Sequence, residues 1–266
     1  PISGYILLRR RKLERTKISK FLKSSLQRWH NQWKHELGKG RSRAYIKGGA
    51  GLKEKRKIST QHGAIFDYWK DKYINKDGSI VLERYAGKDS IPVVKDEGEP
   101  MCWACSKPII TEYEDKISNS PTDEEIHRLW LDRVVKSGLN RCHIVPDAMG
   151  GEDTPQNLFL LCGNCHIDSP DTMNREGFFR WVYRRRASSA MGVINPAEMI
   201  SEIEVELEDR GLPKIIEMEK EQPGFFYDGD FKKFLSTHIG THGAKVVIST
   251  YIVAIADYIE ECYKSA

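Results

Sequence analysis

Two short cysteine turns, set far apart, constrain this chain more than any other feature. Cys102 and Cys105 stand in "MCWACS", and Cys162 and Cys165 stand in "LLCGNCH", more than fifty residues later. A CxxC turn presents two thiolates to one ion, and two such turns complete the tetrahedral set that Zn²⁺ favours. An ion shared between them would pin the two ends of one compact module, contribute folding free energy and leave no open position for chemistry. "CWAC" alone has the form of a redox pair. That reading needs a strand-to-helix context and leaves the second pair unexplained. Structural zinc on all four cysteines is the expectation.

The chain has 266 residues, enough for one large domain or two to three modest ones. No apolar run approaches the roughly 18–20 residues of a membrane span. The opening "PISGYILLRRRKLER" has only four apolar residues in a row before its basic cluster, too few for a secretory core. An intracellular, cytoplasmic and nucleoid-associated protein is expected, with no membrane partner. In that setting cysteines serve as metal ligands or buried thiols rather than disulfides.

The formal charge of +4 hides an asymmetry. Residues 1 to 60 carry 18 Lys/Arg against three acids, a net +15; the remainder carries 24 against 35, a net −11. A basic end on an acidic body is the pattern of a polyanion-binding arm, and nucleic acid is the expected partner. Lys20, Lys23, Arg41, Arg43, Lys55 and Arg56 are the candidate phosphate contacts there. The plainer alternative is a solvated tail.

Periodicity predicts a helix over residues 10–37, with Phe21, Leu22, Leu26, Trp29 and Trp33 on one stripe, followed by a basic Gly-rich loop. Residues 59–78 read as a short aromatic helix closing at Asp77-Gly78, "SIVLERYAG" as a strand, and "KDSIPVVKDEGEP" as a linker. "PTDEEIHRLWLDRVVKSG" is a helix with Thr122 and Glu125 in a capping box and Gly138 as its stop. Further helices are "REGFFRWVYRRR", "NPAEMISEIEVELEDRG" with a solvated Glu-rich face, and the apolar "AKVVISTYIVAIADYIEECYKS", whose β-branched start also suits a strand.

Between the cysteine turns lies "CHIVPDAMGGEDTPQNLFLLC". His143 with Pro146, the Gly150-Gly151 loop, Asn157-Leu158, and His166 directly behind Cys165 stand in a fixed order. Over residues 101 to 185 this resembles the HNH, or ββα-metal, nuclease family in the subtype braced by four-cysteine zinc. The resemblance implies that His143 is the general base activating water, that Asn157 ties the two strands and orients that base, and that His166 is a ligand of one catalytic divalent ion such as Mg²⁺ or Mn²⁺. It also implies a strand and helix laid across the minor groove of double-stranded DNA. Cleaving a phosphodiester needs such a base and such a cation, and a neutral imidazole accepts protons near physiological pH.

One position departs from the family pattern. The residue before the base is usually Asp or His, a second metal ligand; here it is Cys142. Three readings follow. Cys142 is a soft ligand that shifts metal preference away from Mg²⁺; or it is a packed thiol, with metal held by His166, water, phosphate oxygens and Asp168; or the site is degenerate. The second leaves the rest of the motif with a purpose and is preferred. Arg184, Arg185 and Arg186 end the following helix and are candidates for flanking phosphates, or an ordinary C-terminal charge run.

The fold class expected is α+β, with a small zinc-bound ββα-metal module at residues 99–190. A basic, mainly helical region at 1–98 and a helical accessory or dimerisation region at 191–266 flank it. The function expected is a metal-dependent DNA endonuclease of restriction or mobile-element type. A homodimer suits double-strand cutting, since one such site cuts one strand. The alternatives are a zinc-stabilised DNA-binding protein with a non-cleaving site, and an interaction scaffold that does not touch DNA.

Overall fold

In a computed structural model the protein is described over residues 58–95, 100–109, 122–187, 199–215, 217–218, 229–240 and 246–264. Contacts divide the chain into two units, residues 1–57 with 196–200 and residues 58–195 with 201–266. The elements below belong to the second, the first two residues of the Met199 helix excepted. The helix expected at 10–37 and the basic residues Lys20, Lys23, Arg41, Arg43, Lys55 and Arg56 lie outside the described residues.

Helix α1, His62–Trp69, buries Ile65, Phe66 and Trp69 along one side. It stops well before Gly78, because Lys72–Ile74 (β1) turns back through Asn75–Ser79 onto Ile80–Leu82 (β2). The short aromatic helix expected to close at Asp77-Gly78 therefore ends at Trp69, and a hairpin takes the rest of the stretch. Gly78 is the hairpin turn at φ +85°, and a Cβ there would meet the Glu176 carbonyl oxygen at 2.2 Å. The stretch read as a linker also differs: Ile91–Pro92 (β3) completes a three-stranded antiparallel sheet beside β1, with Val93 and Val94 buried behind it. Apolar β-branched pairs place a segment in a sheet even when Pro and acids surround them.

Helix α2, Asp123–Val134, starts at the capping box as expected, with the Thr122 hydroxyl and Glu125 carboxylate exchanging bonds with each other's backbone N–H. Next come Asn140–His143 (β4) and Leu158–Leu161 (β5), paired antiparallel with Cys142 opposite Phe159 and His143 opposite Leu158. The six-residue helix α3, Gly163–Asp168, follows directly. Phe159 is the hub of the core, with the rings of Trp103, Trp69, Phe178 and Phe179 around it at 5.0 to 5.9 Å, mostly edge-on. The fold is α+β, and the ββα unit β4–β5–α3 sits on this aromatic centre.

Helices α4 (Arg175–Ala187), α5 (Met199–Asp209), α6 (Gly229–His238) and α7 (Ile248–Lys264) complete the unit. The apolar C-terminal segment is a buried helix from Ile248. Among the described residues no helix is long and apolar enough to cross a membrane.

The Glu-rich face of α5 is not all solvated. Glu206 is fully buried, accepting from Arg180 Nε at 2.7 Å and Arg210 Nη2 at 2.6 Å, and facing Arg184 Nη1 at 2.5 Å. Arg210 carries the network on to Asp257 and Glu260 of α7. Burial alone would raise the Glu206 pKa, but the three guanidinium groups outweigh it and hold it at about 2. This stabilisation is present above the unfolded carboxylate value near 4.5 and is lost as pH falls from there through about 2. Glu206→Gln removes the charge three guanidinium groups share, leaving Arg180 with no ion pair among the described residues and Arg184 and Arg210 with fewer. It is expected to cost about 3–5 kcal/mol, read by urea unfolding at neutral pH; a loss below about 1 kcal/mol would show the network to be dispensable.

Candidate active site and zinc centre

Both cysteine turns are built onto β5. The first is tied to it by the Trp103 N–H, which donates to the Leu160 carbonyl at 3.0 Å. The Cys102 N–H bonds to the Lys107 carbonyl and the Ser106 N–H to the Cys102 carbonyl, closing the knuckle with Ser106 at positive φ. The second turn continues from Leu161, with Cys162 as N-cap of α3 and its carbonyl accepting the His166 N–H at 2.8 Å. All four sulfurs therefore lie within 4.8 Å of one another, Cys105 and Cys162 at 4.0 Å. A tetrahedral ion with Zn–S bonds near 2.3 Å needs sulfurs about 3.8 Å apart, so the donor set fits zinc.

Hydrogen bonds among the thiols, chiefly to Cys102, hold Cys105 down to about 6 and Cys162 low as well. The mutual bonds push Cys102 and Cys165 upward. A cluster primed to shed some protons is one a cation can complete. Beside it, the buried Arg186 guanidinium donates to the carbonyls of Pro92, Val93 and Trp103, with Cys102 and Cys105 near enough to act on its charge. Burial lowers Arg186 to about 10, and negative thiolates oppose that.

The other centre lies on the loop between β4 and β5. Along β4 Cys142 is buried in the core, while Asn140, Arg141 and His143 are half-buried. His143 Nε2 is 2.6 Å from Asp153 Oδ1, with the two side chains 18% and 28% exposed. The buried Asn157 is the loop's brace. Its Oδ1 accepts the Val145 N–H at 2.9 Å, and its Nδ2 donates to the carbonyls of Val145 and Glu152 at 2.9 and 3.1 Å. Gly151 permits that closure, since a Cβ there would lie 1.8 Å from the Val145 oxygen and 2.7 Å from Asn157 Nδ2. From outside, Thr60 Oγ1 donates to the Asp153 carbonyl at 2.5 Å, and the Trp69 indole N–H reaches the carbonyls of Pro155 and Leu158.

Residues 133–169 match the family model described as HNH endonuclease. The chain carries an HNH domain. The match takes in β4, the Asn157-braced loop, β5 and α3, with His143, Asn157, His166, Cys162 and Cys165; Cys102 and Cys105 precede it. The four-cysteine cluster beside it is consistent with the zinc-braced form of the HNH module. No curated protein and no solved structure matches the chain.

Within the HNH domain the remaining motif residues are placed as follows. His166 is half-buried on α3. Cys142 is buried, its sulfur 3.4 Å from Ser169 Oγ, and burial pushes its thiol up to about 12. Its placement is that of a packed thiol. Asp168 is also buried, with Arg185 Nη1 at 3.0 Å, and burial raises its carboxyl despite that cation. Among the described residues the four cysteines are the one cluster of three or more potential metal ligands, so His143 and His166 do not belong to a second such cluster.

The arginine run after the motif points inward. Arg184 faces Glu206 and Asp209, Arg185 pairs with Asp168, and Arg186 binds backbone carbonyls beside the zinc centre. These guanidinium groups knit α4 to its neighbours in the described structure, rather than lining an open surface. Asp153 is the candidate site residue that sequence reasoning missed. Its one signal is an acid just behind the Gly150-Gly151 turn, where a loop folding back on β4 brings a carboxylate to the imidazole.

Proposed function

We propose that this protein is a metal-dependent DNA endonuclease in which His143 is the general base. The observation that carries this is the 2.6 Å contact of His143 with Asp153 inside an HNH-matched, Asn157-braced loop. A carboxylate on Nε2 selects the tautomer with its proton there, leaving Nδ1 as the nitrogen that accepts a proton. Water gives that proton to Nδ1, the hydroxide attacks phosphorus, and the 3′ oxygen leaves. Asp153 then stabilises the imidazolium, and Asn157 keeps the loop from drifting as the charge changes. A divalent ion such as Mg²⁺ or Mn²⁺, held by His166 with water and the substrate's phosphate oxygens, would neutralise charge on the phosphate. Of the three side chains the motif offers to that ion, Cys142 and Asp168 are buried, and His166 alone is half-exposed.

That spare ligand set favours a second reading, a zinc-braced DNA-binding protein that no longer cuts. Incubating supercoiled plasmid with the protein and Mg²⁺, Mn²⁺, Co²⁺ or Ni²⁺ separates the two. Nicking with any of them supports the endonuclease, and salt-sensitive binding without nicking supports the other. On either reading the basic N-terminal region supplies phosphate affinity, and restriction or mobile-element work is the setting such a nuclease suits. Cutting of both strands would call for a homodimer.

A further inference from the structure

We infer that Arg141 is a substrate-positioning residue of this site, binding the backbone phosphate next to the one that is cut. The inference rests on the endonuclease reading only for the identity of the cut phosphate. Arg141 and His143 are two residues apart on β4, so their side chains leave the same face of the strand roughly 6.6–6.8 Å apart. That is the scale of one nucleotide step along an extended backbone, so an imidazole serving one phosphate leaves the guanidinium at its neighbour.

Arg141 is less engaged than its fellow arginines: Arg175 and Arg186 have neutral acceptors too, but each bonds through both terminal nitrogens, Arg175 to Asn157 and Gln156 and Arg186 to the carbonyls of Pro92, Val93 and Trp103. Arg180, Arg184, Arg185 and Arg210 all face carboxylates. Arg141 instead donates from Nη1 to a neutral acceptor, the Thr60 carbonyl, at 2.9 Å, and has no carboxylate partner among the described residues. Its other neighbour, His62, is half-buried with its pKa lowered, first by burial and then by Arg141, which favours the neutral imidazole, a group that offers the guanidinium no counter-charge. A half-buried cation oriented by a carbonyl keeps its full charge for an anion, and a guanidinium has five donors, of which this bond uses one. The anchor also places it: Thr60 accepts from Arg141 through its carbonyl and donates through its hydroxyl to Asp153, the partner of His143. Cation and base are thereby held by one short chain of bonds.

The test measures binding of the full chain to duplex DNA in Ca²⁺ over a salt series, for wild type, Arg141→Gln and Arg141→Lys, with zinc content and melting checked for each. Removing one phosphate contact is expected to weaken binding about tenfold or more and to make the slope of log K against log salt shallower by about one. Lysine is expected to keep the slope, because the charge remains. A wild-type slope in Arg141→Gln overturns the inference, and so does an equal loss of slope in Arg141→Lys, which would mark a purely structural role. Should Arg141→Gln fail to fold, a methylphosphonate scan of the DNA carries the same test on the wild-type protein. One neutralised phosphate beside the cut is expected to weaken binding, and a flat scan overturns the proposal. Wild type that binds but never nicks would sink the endonuclease reading alone, because the slope is measured without cleavage.

Discussion

Replacing His143 with alanine is expected to lower the rate of plasmid nicking about 10²- to 10⁴-fold, the span a positioned general base contributes, while zinc content and melting temperature hold. The role proposed for this residue is one of chemistry, not of stability. His143 is half-buried at the end of β4, and besides its own contact with Asp153 the loop is held by the bonds of Asn157 and Trp69. Asp153→Asn is expected to fall between, because an amide oxygen still accepts the Nε2 proton but carries no charge to stabilise the imidazolium. The double variant should be no slower than His143→Ala alone, since both act through one group. Nicking by His143→Ala at close to the wild-type rate would remove it as the base.

The parts of this molecule that were legible in the sequence are those whose partners lie within one or two turns of chain. The Thr122–Glu125 capping box is complete within four residues, and each CxxC turn sets two sulfurs side by side. The order of His143, Asn157 and His166 could be matched to a motif because β4, the loop and α3 are consecutive. What could not be read depends on long-range pairing. Arg184–Arg186 have the composition of a solvated helix end, and only the folded chain brings Glu206, Asp168 and the Trp103 carbonyl to them. Glu206 likewise looks like one more acid on an exposed face until three arginines close on it. The β1–β2 hairpin was hidden because aromatic residues every few positions fit a helix and a short strand equally well; Gly78 decides between them through its close approach to Glu176.

Cys162→Ser is expected to release the zinc and take most of the stability of this unit with it. A structural zinc contributes about 10–16 kcal/mol in small finger peptides, which matches or exceeds the roughly 5–15 kcal/mol by which whole domains are stable. Cys162 is the sensitive place to remove a ligand, because it ends β5 and caps α3, the helix that bears His166. Without the ion, the first knuckle is held to β5 chiefly through the Trp103–Leu160 bond, and the sulfurs recover protons. Arg186 then loses its compensation, a buried guanidinium left with carbonyl acceptors alone, so the cost spreads into α4. Zinc per chain by atomic absorption, read beside the melting temperature, checks this, and a variant with full zinc content would refute it. Acid should act in the same direction, because each thiolate that gives up the metal takes up a proton. Wild-type protein is therefore expected to lose zinc and melt together as pH falls, and a chelator should move that joint transition to higher pH.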